Sequence, residues 1–388
     1  MSSERTIPTI EYKDFSLNVH DRAASQGQVI KAQLELTYRC NLHCRHCYTD
    51  PYNGKEFFPR ELTTPEILRL LDEMRDLGII WLNLTGGDIF MHPDFFKIYE
   101  RAHSLGFLLQ LYTNGTLFTK SMIQRLEAHR PFTIDISCHS VDEARFDWFT
   151  QVSGSYRAFM RGIDLLDQSG LPYDLKANVM NWNADEIIAI QRFADSKGRQ
   201  LSLSTYLAPR LNGDLSSLQF RVPPDPLAAS EHADRPPPTL DSTCVTSSDW
   251  ASAPTDRLYR CGCGTDTIHI SAWGELGTCT QQYLDRVSLK TTSVKQAIAT
   301  VFQSVRARRY RTDSACRTCT MYSFCDKKPS EALWEQGSAE SPVPYHCDVA
   351  WARAQQASGQ PLLHPLARAR QLEPTDKGQP DPLSTSTT

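Results

Sequence analysis

From about residue 30 to residue 206 the sequence alternates between short apolar runs and longer helical stretches, and this rhythm limits the fold more than any other feature. The six apolar runs are 31–36, 79–84, 108–112, 133–138, 174–179 and 201–206. They are short and often β-branched, as buried parallel strands should be. Helical stretches separate them, at 65–77, 93–105, 121–129, 155–168 and 185–196. Thr63-Thr64-Pro65-Glu66 reads as a helix start, with a capping threonine and a proline in the first turn. Gly78 and Gly106 stand where helices should end. Strands joined through helices pair in parallel. The expected class is therefore α/β, a parallel sheet that is open or curled into a partial (β/α)6 barrel like that of triosephosphate isomerase. In such folds the chemistry sits at the C-terminal ends of the strands.

The alternation breaks after Pro209. Residues 221–258 are rich in Pro, Ser and Ala and read as a linker or surface loop. A cysteine-rich segment, 259–350, follows. The expected organisation is a polar lead-in (1–29), a core (30–220), the linker (221–258), the cysteine-rich domain (259–350) and a tail (351–388) whose Pro, Gln and Ser content is that of a disordered segment. With 40% hydrophobic and 22% charged residues among 388, the composition is that of a soluble globular protein. A net charge of -4 gives no reason to expect nucleic acid as a partner. The N-terminus lacks the basic and apolar regions of a secretory signal, and no apolar run is long enough to span a bilayer. A cytoplasmic protein with no membrane partner is expected. Twelve cysteines in a reducing compartment point to metal binding or catalysis. Most of them fall into tight groups, which a metal site explains and a disulfide framework does not.

Cys40, Cys44 and Cys47 form C-x3-C-x2-C just after the first strand, where a strand-end loop belongs. Three thiolates in one loop hold three irons of a [4Fe–4S] cluster and leave the fourth iron open to an outside chelator. Soft thiolates suit zinc as well, and His43 or His46 would complete a structural zinc site.

This loop and its place in the chain resemble the radical S-adenosylmethionine (SAM) superfamily. The resemblance implies a partial (β/α)6 barrel in which Cys40, Cys44 and Cys47 are both cluster ligands and the seat of catalysis. The unique iron would bind the amino and carboxylate groups of SAM, and one electron would break a carbon–sulfur bond to give a 5′-deoxyadenosyl radical. It also implies a Gly-Gly-Glu-like turn after strand two, and Leu84-Thr85-Gly86-Gly87-Asp88 stands there with Asp88 in place of the commoner Glu. Thr85, Gly86, Gly87 and Asp88 are thus candidate contacts to the methionine part of SAM. Strand three ends in Tyr112-Thr113-Asn114-Gly115-Thr116, close to the family's TNGT, and makes Asn114 a candidate. Ser137, ending strand four, and Asn178, near the end of strand five, are candidate SAM contacts that are equally readable as turn residues. Cys138, alone on a strand, reads as a small buried hydrophobe. Pro209-Arg210-Leu211-Asn212-Gly213 resembles a P-R-x-D/N-G segment of peptide-modifying members.

The second cysteine group resembles the SPASM extension of that superfamily, which carries auxiliary [4Fe–4S] clusters. Cys316, Cys319, Cys325 and Cys347 supply four thiolates for one cluster. Cys261, Cys263 and Cys279 are candidate ligands of another, whose fourth cysteine is replaced by Pro329. Cys244 is a possible substitute. A zinc ribbon is the structural alternative. The resemblance implies one SAM-binding cluster, one or two auxiliary clusters, SAM, and a reductant such as flavodoxin or ferredoxin. Its members act mostly on peptides, so modification of a ribosomally made peptide with a leader is the leading expectation. About 39 residues precede Cys40, too few for a built-in leader-binding domain, so a separate leader-binding protein is a further expected partner. The alternatives are a small-molecule substrate in cofactor or haem biosynthesis, and a non-catalytic metal-stabilised or electron-transfer protein.

Overall fold

A computed structural model describes residues 11–232, 256–260, 264–359 and 361–367. Six parallel strands follow one another in order, β1 (Lys31–Thr37), β2 (Trp81–Gly86), β3 (Leu108–Thr113), β4 (Thr133–Ser137), β5 (Tyr173–Asn178) and β6 (Leu201–Ser204). Three more strands extend the same sheet beyond β1. β7 (Thr267–Ile270) pairs with β1 in parallel, and β8 (Glu275–Gly277) and β9 (Val287–Ser288) continue it antiparallel. The order is β6-β5-β4-β3-β2-β1-β7-β8-β9, a partial barrel whose sheet does not close. The cysteine-rich segment therefore enters the structure by adding strands to the barrel sheet itself.

The helices are α1 (Tyr12–Gln26), α2 (Thr64–Asp76), α3 (Phe95–Ser104), α4 (Lys120–Ala128), α5 (Glu143–Thr150), α6 (Ser155–Ser169), α7 (Ile187–Ser196), α8 (Pro224–His232), α9 (Val294–Ala307), α10 (Pro329–Gln336) and α11 (Pro344–Ser358). The expected start of α2 is present as a reciprocal cap. The Glu66 carboxylate accepts from Thr63 N at 2.7 Å while the Thr63 hydroxyl accepts from Glu66 N. Ile67, Leu70, Leu71 and Met74 of α2 recur at helical spacing and are fully buried.

Besides α9, α10 and α11 of the cysteine-rich segment, three helices lie where no helix is expected from sequence. The lead-in forms α1, whose large apolar residues Tyr12, Phe15 and Leu17 are exposed. Its anchors are Ala23 and a polar set, with His20 Nδ1 2.5 Å from Asp266 and Tyr12 accepting from Trp81 Nε1 at 2.7 Å. The linker contributes α8. The stretch after strand four contains α5, capped by Asp142, whose carboxylate accepts from Arg145 N at 2.9 Å. The tail, expected to be disordered from 351, instead continues α11 to Ser358, and residues 361–367 pack back on that helix, where Trp351 Nε1 donates to Leu362 O at 2.8 Å.

The strands are not apolar on both faces. Leu34, Leu84, Leu111, Ile134 and Leu175 are buried in the main core with residues of the surrounding helices. The alternate positions carry Gln33, Glu35, Asn83, Gln110, Tyr112, Asp135 and Lys176. These meet side by side. Gln110 Nε2 donates to Asp135 at 2.5 Å and Lys176 Nζ to the Tyr112 hydroxyl at 2.5 Å. A closed barrel fills its interior with branched aliphatic residues. An open one that receives a ligand needs polar groups there. Among the described residues no helix is long and apolar enough to cross a membrane.

Candidate active site

Because β1 to β6 are parallel, the loops after them gather at one end of the sheet, and every barrel residue singled out from sequence lies there. The three-cysteine loop follows β1 and is held from four directions. Asn53 folds back on it, its Oδ1 accepting from Cys40 N at 2.9 Å and its Nδ2 donating to Cys40 O at 2.9 Å. The end of α5 receives two loop amides, His43 N on Thr150 O at 3.0 Å and Arg45 N on Phe149 O at 3.1 Å. Arg210 donates to Cys47 O at 3.1 Å and to Arg45 O at 2.9 Å. Buried Glu61 accepts from the Thr37 hydroxyl at 2.7 Å, Tyr38 N at 2.8 Å and Arg39 Nε at 3.0 Å. The P-R-x-N-G segment thus serves here to clamp the cysteine loop.

The Gly-Gly-Asp turn supplies the fifth support. Gly87 N donates to Thr37 O at 2.7 Å and Asp88 N to Arg39 O at 2.9 Å. A Cβ on Gly86 would lie 2.2 Å from Thr37 O, and one on Gly87 would lie 2.4 Å from Arg39 O. The close neighbour these glycines permit is the backbone entering the cysteine loop. Asp88 is fully buried, and its carboxylate joins two strand ends. It accepts from the Thr113 hydroxyl at 2.7 Å, Asn114 N at 2.9 Å and Phe90 N at 3.0 Å. Asn114 reaches the loop itself, its Nδ2 donating to Asn41 Oδ1 at 2.9 Å and approaching Cys40 Sγ at 3.8 Å. Thr85 is buried next to the turn, and Ser137 and Asn178 are half-buried at their strand ends. Asn178 N donates to His139 Nδ1 at 3.1 Å. Cys138 is fully buried, as a small hydrophobe is.

The electrostatics of the loop are those of three buried thiols packed close together. Burial, the Asp88 carboxylate and Cys47 push the Cys40 thiol far above its usual range. Burial, then Cys47 and Cys40, do the same to Cys44, and burial raises Cys47. The three sulfurs are near enough for charge on one to disfavour charge on the next, so three thiolates are stable together only around a cation. Soft donors in this number fit a [4Fe–4S] cluster with one iron free of protein ligands. Neither histidine of the loop is placed like a zinc ligand. His43 Nδ1 lies 2.9 Å from Asp50. The His46 ring packs against His139 and Phe149, each at 5.0 Å, and burial holds it neutral.

The second cysteine set is also assembled. Cys316, Cys319, Cys325 and Cys347 line one cavity with Tyr322, Lys327, His346 and Leu366. Cys347 lies in the first turn of α11, where the helix dipole favours a thiolate. Burial raises the Cys325 thiol to about 12, and burial and the neighbouring cysteines raise Cys347 further. Four cysteines on one cavity fit a fully ligated cluster. Of the other set, Cys279 is half-buried near β8, while Cys261, Cys263 and Cys244 lie outside the described residues. Pro329 opens α10, whose first position suits a residue without an N–H.

Sequence reading missed Asn41, Asn53, Glu61 and Lys327. Asn41 acts from within the motif and the other three from outside it, and only Asn53-Gly54, a turn signal, marks one of them in the sequence.

The chain is similar to several known proteins. It is 30% identical over 182 residues to the AdoMet-dependent heme synthase of Methanosarcina barkeri, covering 47% of this chain and 52% of that protein. It is 30% identical over 190 residues to the antilisterial bacteriocin subtilosin biosynthesis protein AlbA of Bacillus subtilis, covering 48% and 39%. The chain spans about half or less of the length of the curated relatives it matches. Its fold follows Streptococcus suis SuiB, solved with its precursor peptide SuiA, with a TM-score of 0.59 and 13% identity over 88% of this chain and 82% of that one. Residues 34–194 match the radical SAM superfamily, and this stretch of the chain, with the three-cysteine loop, the Gly-Gly-Asp turn and Asn114, is a radical SAM domain.

Proposed function

We propose that this protein reductively cleaves SAM and uses the product to modify a ribosomally made peptide, by cross-linking or oxidation. The observation that carries the reading is the pairing of two cysteine sites in one fold, three thiols at the barrel end and four around a separate cavity. A [4Fe–4S] cluster on Cys40, Cys44 and Cys47, with SAM on its free iron, supplies a 5′-deoxyadenosyl radical able to take hydrogen from an unactivated carbon. The protein's part is position. Asn53, Arg210, Glu61 and the glycine turn fix the loop, Asn114 sets Cys40, and the open polar face of the sheet admits the substrate. Thr85, Gly86, Gly87, Ser137 and Asn178 surround the place for SAM. The auxiliary cluster would sit on Cys316, Cys319, Cys325 and Cys347.

Hydrogen-bonding side chains such as Gln33, Asn83, Gln110 and Lys176 suit a peptide backbone, and the likeness to AlbA supports a peptide substrate. The likeness to a heme synthase supports a second reading, a porphyrin-like small molecule. A reductant of the flavodoxin or ferredoxin class and a separate leader-binding protein are the proposed partners. The test is to incubate the reduced, cluster-loaded protein with SAM and either the short leader-bearing peptide encoded beside its gene or an iron porphyrin. A SAM-dependent loss of hydrogen mass from the peptide is expected. An altered porphyrin beside an unchanged peptide contradicts the peptide reading.

A further inference from the structure

We infer that Lys327, assisted by Arg260, raises the reduction potential of the cluster held by Cys316, Cys319, Cys325 and Cys347. The inference rests on the auxiliary-cluster reading above and adds a task for two residues that are not ligands. Lys327 lines the same cavity as the four cysteines and is 8% exposed. Its Nζ lies 3.5 Å from Cys316 Sγ and donates to Glu340 O at 3.2 Å, and the ammonium stands 5.7 Å from the centre of the Tyr310 ring. Its partners among the described residues are thus a thiol, a carbonyl and a ring. A buried cation is costly unless an anion faces it. The anion this geometry offers is a cysteine thiolate, and with iron bound it is the cluster.

Arg260 also stands by the Tyr310 ring, 5.7 Å from its centre. It is 3% exposed, donates to Arg317 O at 2.7 Å and lies over the Tyr322 ring at 4.5 Å. Tyr322 itself lines the cavity. Two cations therefore face a site whose ligands are all anionic when occupied.

The physical consequence has a fixed sign. Adding an electron makes a four-thiolate cluster one charge more negative. A fixed cation stabilises the reduced form more than the oxidised one, and a low-dielectric cavity strengthens the effect. A hydrogen bond from the ammonium to a ligand sulfur acts in the same direction. The cluster becomes a better electron acceptor than its thiolates alone would make it.

The test is a potentiometric titration followed by electron paramagnetic resonance, in full-length protein with Cys40, Cys44 and Cys47 changed to Ala so that the barrel cluster is absent. The signal that disappears on adding Cys347→Ala belongs to the four-thiol site. Lys327→Met is expected to lower the equilibrium constant for reduction about tenfold, a fall of about 59 mV for one electron. Lys327→Arg is expected to keep most of the parent potential, and Arg260→Gln to lower it in the same direction by less. A Lys327→Met protein with full iron and the parent midpoint overturns the inference. If Lys327→Met and Lys327→Gln both lose this iron while Lys327→Arg keeps it, the charge holds the cluster and does not tune it, which also overturns the inference. A parent protein with no iron–sulfur signal at this site contradicts the auxiliary-cluster reading itself.

Discussion

Gly87→Ala is expected to strip the barrel cluster from the protein without removing a single cysteine. The added Cβ would lie 2.4 Å from Arg39 O and 2.7 Å from Tyr38 O. Both are backbone atoms, so the strain has no flexible side chain to relax into. Overpacking of this kind costs about 1–3 kcal/mol, and here it falls on the chain that leads directly into Cys40. Relief requires moving β1's exit away from the turn, which breaks the bonds from Gly87 N and Asp88 N to that loop. Iron in the reconstituted variant should drop to the level of a protein lacking all three loop cysteines, while the four-thiol site keeps its share. Full iron content in Gly87→Ala would show that the glycine turn is not what positions the loop.

Glu331→Ala is expected to destabilise the fold by roughly 3–5 kcal/mol, the cost of leaving buried charge without its partner. The Glu331 side chain is fully buried in α10 and joins four segments. It receives Arg221 Nη2 at 2.5 Å, lies 2.8 Å from His346 Nε2, accepts from the Tyr206 hydroxyl at 3.0 Å and caps Lys328 N. Tyr206 follows β6, and His346 precedes Cys347 of the four-thiol site. One carboxylate therefore ties the barrel to the auxiliary site. Burial alone would raise its pKa, but His346 and Arg221 outweigh that and hold the carboxyl well below its usual range. A carboxylate depressed in the folded state contributes stability that is complete above its unfolded value, about 4.3, and is lost as pH falls toward the folded one. Urea denaturation at neutral pH should show a lower midpoint for Glu331→Ala, with Glu331→Gln between it and the parent. The gap should narrow in acid. An unchanged midpoint at neutral pH would mean that Arg221 is fully compensated by Glu335, which it also contacts at 2.8 Å.

Much of this architecture was legible in the sequence because it is local. Six apolar runs gave six strands, Thr63 to Glu66 gave a cap, and a cysteine spacing gave a loop. What escaped is carried by contacts across long separations. Arg210 reaches the cysteine loop from 163 residues away, and Asn53 returns over 13. Helix α1 escaped for a different reason, since polar bonds to Asp266 and Trp81 hold it and leave little apolar periodicity to read. Asp88 shows the limit of motif reading. Its position was legible, but the bonds that its shorter side chain makes to the end of β3 were not. The addition of β7 to the barrel sheet also lay beyond sequence, because the partner of an edge strand is chosen by tertiary packing and not by propensity.

The most direct test of the account is the release of 5′-deoxyadenosine from SAM by anaerobically reconstituted, chemically reduced protein, beside a variant with Cys40, Cys44 and Cys47 all changed to Ala. The account predicts product from the parent, none from the variant, and iron remaining in the variant at the four-thiol site. A parent that takes up zinc and no iron, and releases no 5′-deoxyadenosine in the presence of its peptide, would contradict it.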